Sequence, residues 1–191
     1  MRLRIYLNIL LCFFSISCNS QNEYTETDSS KVYLKILNEL PHLPPPSPEI
    51  MMNKKLLKKY TDSLSKKKLN VGLLTKTRVL NDTIKLDNHQ LLLSLLNKKN
   101  QSMDINFNYI KSSSVNNIKA FDEFDINIYK NNPNLDWFIS FSNVAFDKKQ
   151  NKALLAVYSS VDKLSGSSKL FVLKKKKEKW IIIETILLNI S

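Results

Sequence analysis

Glycine occurs only twice in the 191 residues, at Gly72 and Gly166, cysteine only twice, at Cys12 and Cys18, and histidine only twice, at His42 and His89. Each scarcity removes a class of chemistry. Two isolated glycines cannot form a Gly-rich loop that brings backbone N–H groups against a phosphate. With no cysteine after position 18, the body has neither a disulfide nor a thiolate nucleophile, and two lone histidines do not make a His/Cys zinc set. No metal and no cofactor are therefore expected. A body without disulfides must be held by its apolar core alone. Residues 18–191 suffice for one ordinary domain and are too few for two.

The first eighteen residues are organised differently from the rest. Arg2 and Arg4 precede an apolar run from Ile5 to about Ile16, and Ser15 and Ser17 stand where a signal peptidase reads small residues, just before Cys18. This segment resembles the lipoprotein signal peptides of bacteria, in looser forms found in the Bacteroidota, where the cysteine becomes the new N-terminus and receives fatty acyl chains such as palmitate. It departs from the commonest pattern in having Ser15 three places before the cysteine rather than an aliphatic residue. Cys12, inside the apolar run, is not a candidate. The alternatives are plain secretion and an uncleaved anchor, the latter opposed by an apolar run well short of the roughly 20 residues that span a bilayer. The resemblance implies residues 1–17 as signal peptide and Cys18 as lipid attachment site; NSQNEYTETDS after the cysteine, polar and without apolar periodicity, makes 18–29 a flexible tether, and the length of the rest makes 30–191 a single domain. It further implies the cell envelope, at the outer membrane, with the periplasmic or surface face unassigned because the first acids, Glu23, Glu26 and Asp28, lie some way past the cysteine.

Basic residues outnumber acidic ones by 29 to 17, and the formal charge of +12 falls to +10 without Arg2 and Arg4. Lysine carries almost all of it, in clusters at Lys54, Lys55, Lys58 and Lys59, at Lys66 to Lys68, and at Lys174 to Lys177 with Lys179. Such clusters attract anionic lipid headgroups, anionic glycans or an acidic envelope protein. The competing explanation is the Lys, Asn and Ile bias that an AT-rich genome writes onto solvated surfaces. Nucleic acid is not an expected partner, since no basic motif is interleaved with aromatics.

The spacing of Val32, Tyr33, Ile36, Leu37 and Leu40 predicts a helix capped at Ser29 or Ser30 and stopped by Pro41. PHLPPPSP, residues 41–48, reads as a stiff connector rather than a polyproline ligand, and Ser47 with Pro48 opens a second helix to about Lys67 with Leu57, Tyr60 and Leu64 on one stripe. LLTKTRVL and TIKL, separated by Asn81 and Asp82, predict a hairpin. Asp87 and Gln90 then form a capping-box arrangement ahead of Leu91 to Leu96, read as a short helix buried on more than one side, with a buried strand of the same length as the alternative. Ile105, Phe107 and Tyr109 alternate with asparagines as a strand does, as do Phe124, Ile126 and Ile128, with a helix over 118–129 as the alternative for the latter.

WFISFSNVAF, ALLAVYSS, KLFVLK and WIIIETILL read as four successive strands joined by short polar links, which favours an antiparallel meander. The last lysine cluster then falls at a hairpin tip. This third of the chain resembles the ends of uncharacterised exported bacterial proteins through Ser142, Val144, Phe146, Lys152, Ala153, Leu154, Gly166, Leu173, Lys179, Trp180 and Ile182. It departs from them at Lys177 and Glu178, where Asn-Gly is typical, and in a third link that keeps Gly166 alone. The resemblance implies an architecture and no mechanism. The fold class expected is α+β, with N-terminal helices packed on a mainly antiparallel sheet ending in that four-strand meander.

Catalytic candidates are few. Asp122, Glu123 and Asp125 form an acidic cluster of the kind usually found on a solvated turn, Ser140 and Ser142 share a strand face without a histidine or acid near in sequence, and Trp137 and Trp180 suit packing better than ligand stacking. The expected function is a lipid-anchored binding module of the envelope. The alternative is a small-molecule or enzymatic pocket on a cone-shaped fold like that of nuclear transport factors, which a deep apolar cavity would favour.

Overall fold

The computed structural model describes residues 28–39, 52–64, 68–80, 89–98, 101–161 and 165–190. Its class is α+β: five helices and a seven-stranded mixed sheet. In chain order the elements are α1 (28–39), α2 (Lys54–Leu64), β1 (Asn70–Leu74), α3 (Gln90–Lys98), α4 (Phe107–Ser113), β2 (Asn117–Phe121), α5 (Ile128–Asn131), β3 (Trp137–Phe141), β4 (Ala145–Phe146), β5 (Lys152–Ser160), β6 (Gly166–Lys176) and β7 (Lys179–Ile190). The sheet runs β2-β1-β3-β5-β6-β7, with β4 added to β5.

The expectation of a mainly antiparallel sheet needs correction on the N-terminal side, where β1 is parallel to both β2 and β3. β1 is flanked on both sides and buried, so Gly72 has a packing reason. A Cβ there would lie 2.9 Å from the rings of Phe121 and of Phe138, one on each neighbouring strand. The expected hairpin is absent from the described part of its first run. Beyond Leu74 that run makes isolated bridges instead, Lys76 with Asp104 and Arg78 with Ser142. TIKL, the proline connector and Asp87 lie outside the described residues.

The two alternating segments also fold otherwise. Ile105 to Tyr109 is not a strand, because the Asn106 side chain accepts a hydrogen bond from the Tyr109 N–H at 3.1 Å and caps α4. An asparagine that competes for backbone donors in this way favours a helix start over an extended run, and Ile110 follows as the buried face of the helix. Near Phe124, the strand lies earlier, at β2. Asp125 then accepts from the Asn127 N–H at 2.9 Å and its carbonyl from Ile128 N–H at 2.9 Å, which turns the chain into the short α5.

Helices cover both faces of the sheet. On one, Val32, Tyr33, Ile36 and Leu37 of α1 and Ile110 of α4 pack with Leu73, Phe141, Leu155, Leu173 and Trp180. Tyr33 stacks on Phe141 with centroids 4.7 Å apart and donates to the Ser142 carbonyl at 3.2 Å. Burial pushes its hydroxyl well above the ordinary tyrosine range. On the other face, Leu92, Leu93 and Leu96 of α3 pack on Leu154, Ala156, Leu170 and Val172. Leu91 is 62% exposed, so α3 buries one stripe rather than several sides, as a helix in an outer layer does.

The C-terminal strands β5, β6 and β7 are successive antiparallel neighbours, as expected. WFISFSNVAF is divided into β3 and β4 at residues 142–144, both antiparallel to β5. The β6–β7 turn is tight, with Lys177 at φ 47° and Glu178 at φ 60°. Two consecutive left-handed residues are what a type I′ hairpin requires.

Candidate functional site

Along β5 and β6 the face that lies beneath α3 changes composition. Leu154 and Ala156 lead by twos to Tyr158 and Ser160, while Val172 and Leu170 lead back to Ser168 and Gly166. The register sets Tyr158 opposite Ser168 and Ser160 opposite Gly166, with Ser140 of β3 opposite Tyr158. The result is an open cleft of about 270 Å³, floored by seryl hydroxyls and walled by Arg78, Phe124 and Phe138.

Each wall is positioned by a distinct local feature. The Arg78 N–H donates to the Phe141 carbonyl at 2.7 Å, fixing its backbone beside β3, and its guanidinium carbon lies 4.7 Å from the centroid of the Tyr158 ring. A planar cation held on an aromatic face keeps its N–H fork ordered. Phe124, in the turn between β2 and α5, packs edge-on against Phe138 at 5.1 Å. Tyr129 of α5 donates its hydroxyl to the carbonyl of Ser160, a lining residue, at 2.6 Å, tying α5 to the end of β5.

The electrostatics are one-sided. Arg78 makes no ion pair among the described residues, and no Asp or Glu lines the cleft. Ser140 is 2% and Ser168 8% exposed, yet neither hydroxyl has a hydrogen-bond partner among the described residues. Both residues line the open cleft beside a guanidinium that has no ion pair among the described residues, so hydroxyl and N–H groups are available there to one ligand. The arrangement suits a small anion that also bears hydroxyl groups. The lining holds no group that would take a proton from a seryl hydroxyl.

The opposite end of the same strands is cationic. Lys152 faces Lys174 across β5 and β6, Lys176 faces Lys179 across β6 and β7, and Lys148 and Lys149 occupy the adjacent β4–β5 turn. Lys175 lies 3.3 Å from the carboxylate of Asp28, the first described residue of α1, which is 1% exposed. Helix α1 thus includes Asp28 and Ser29, residues read from sequence as the end of the tether.

The other candidates separate. Cys18 and His42 lie outside the described residues. His89 Nε2 sits 2.7 Å from Glu184 Oε2, tying the start of α3 to β7. Asp122 accepts from the Thr75 hydroxyl at 3.0 Å, Asp125 serves its own turn and Glu123 is exposed. No cluster of three or more metal-ligating side chains occurs among the described residues. Ser142 lies just beyond β3, where its hydroxyl donates to the Asn143 carbonyl and accepts from the Ala156 N–H, both at 2.8 Å. Ser140 alone of the two faces the cleft. Trp180 is buried in the core and Trp137 packs against it. Sequence reasoning missed Arg78, Tyr158 and Ser168. The available signal was the shared switch from apolar residues to serine at facing ends of ALLAVYSS and GSSKLFVLK.

Among the described residues no helix is long and apolar enough to cross a membrane. No family model, no curated protein and no solved structure matches this chain.

Proposed function

We propose that this chain is a lipid-anchored binding module of the bacterial cell envelope, attached through Cys18 at the outer membrane, and that the Arg78 cleft is its ligand seat. The observation that carries the reading is a guanidinium with no ion pair among the described residues, set over Tyr158 in a cleft lined by Ser140 and Ser168 and by no acidic residue. The ligand class that fits is a small hydroxylated carboxylate such as an acidic sugar unit of a glycan: its carboxylate answers Arg78 and its hydroxyls answer Ser140 and Ser168. The cleft volume, about 270 Å³, suits one such unit, near the lower end of ligand sites at roughly 300 Å³. The alternative of a deep pocket on a cone draws less support, because helices cover both faces of this sheet and the cleft is open.

Two measurements test the reading. Fed a labelled fatty acid in a Bacteroidota host, the wild-type chain should take up label and partition with membranes while Cys18→Ala does not; a soluble, unlabelled wild type overturns the anchor. In titrations followed by NMR, glucuronate should bind and glucose should not. Arg78→Gln should weaken glucuronate about tenfold or more, the worth of a charge-assisted hydrogen bond. Equal binding of the two sugars, or indifference to Arg78, overturns the ligand class.

A further inference from the structure

The lysines at the far end of the sheet are arranged in a way that composition alone does not explain. Lys152 opposite Lys174 and Lys176 opposite Lys179 are like-charge pairs in direct cross-strand register, an arrangement that destabilises a sheet. Both acids nearby are engaged. Asp147 accepts from the N–H groups of Asn151 and Lys152, and Glu178 reaches toward Lys175 at 3.4 Å. Lys148 and Lys149 extend the same positive end, because the Lys175 N–H donates to the Asn151 carbonyl and binds the β4–β5 turn to the hairpin. These exposed lysines make no ion pair among the described residues.

The second observation is where the chain enters the domain. Asp28, buried and paired with Lys175 at 3.3 Å and Lys31 at 3.4 Å, pins the beginning of α1 to this end of the sheet. Ten residue steps separate Cys18 from Asp28, a span that cannot exceed about 35 Å however extended. Acyl chains on Cys18 therefore hold this end near the bilayer.

We propose that the lysine end, formed by the β6–β7 hairpin tip and the β4–β5 turn, docks on the anionic headgroups of the membrane that carries the anchor, so that the opposite, serine end with its Arg78 cleft points away from the lipid. The inference rests on the lipid-anchor reading and deepens it: the anchor supplies proximity, and the lysines supply orientation.

The body lacks cysteine, so single labels are clean. The acylated full chain, labelled with a fluorophore at Asn151→Cys or at Ser165→Cys, is placed in vesicles of neutral lipid or of lipid with phosphatidylglycerol, each containing a lipid-borne quencher. The expected result is quenching at position 151 about twofold or more stronger on anionic than neutral vesicles, lost near 1 M salt where screening is short-ranged, with position 165 unaffected. Replacing Lys174, Lys176, Lys177 and Lys179 by glutamine should remove the difference. Equal quenching at both positions, or on both vesicles, overturns the proposal. Should the chain prove unacylated, the anchor reading fails on its own, and docking is read from co-sedimentation of the same chain: preference for anionic vesicles upholds it, and no preference overturns it.

Discussion

At one end of β5 and β6 the facing residues are Tyr158 with Ser168, Ser159 with Ser167 and Ser160 with Gly166; at the other they are Lys152 with Lys174, and beyond it Lys176 faces Lys179. Between them lie Ala153 to Val157 and Leu170 to Leu173, a stretch buried almost throughout. The same two strands thus hold a core, a hydroxyl-rich cleft and a cationic tip. The middle supplies the stability, and the ends carry polar groups: seryl hydroxyls lining a cleft at one and like-charge lysine pairs at the other.

That division can be broken experimentally, beginning with the shared middle. Leu155→Ala, at a site with 0% exposure, should cost about 2–5 kcal/mol by urea denaturation, and hydrogen exchange should show both ends loosened together. Exchange that rises at one end alone would mean that the ends are separate units. Asp28→Ala leaves Lys175, whose side chain is 10% exposed, without its buried partner and should cost about 3 kcal/mol, the low end for a broken buried pair. The double variant with Lys175→Met should recover much of that loss; failure to recover would remove the ion pair as the cause. Lys152→Glu replaces a like-charge pair by an opposite-charge one and should raise stability by about 0.2–1 kcal/mol, while weakening attachment to anionic vesicles. A loss of stability there would show that Lys152 serves the fold. Smallest of all, Ser140→Ala should shift stability by less than about 0.5 kcal/mol, because its hydroxyl lines the open cleft rather than bonding within the core, yet it should weaken glucuronate binding.

The sequence made the regular parts of this structure legible. The apolar spacing of α1 and the short apolar runs of β5 and β6 agree with their burial. It was misleading where a side chain competed with the pattern. Asn106 turned an apparent strand into a helix start, and Asp125 turned another into a loop. The parallel placement of β1 was not legible, because pairing partners 47 and 66 positions away leave no local mark. Of the site, Ser140 was noticed without a role. Arg78 was invisible as a cleft residue since only the fold sets it over Tyr158, a residue of β5.

The placement of β1 between β2 and β3 also orders events in time. Its partners β2 and β3 lie downstream, and β3 in turn pairs with β5, so the half of the sheet synthesised first cannot close until much of the rest exists. The β5–β7 hairpins need only short loops and close early by comparison, since local contacts form with less loop-closure entropy. A chain emerging from its N-terminus therefore spends its early life with β1 waiting for neighbours, a window in which a holding factor would find an extended apolar segment to bind.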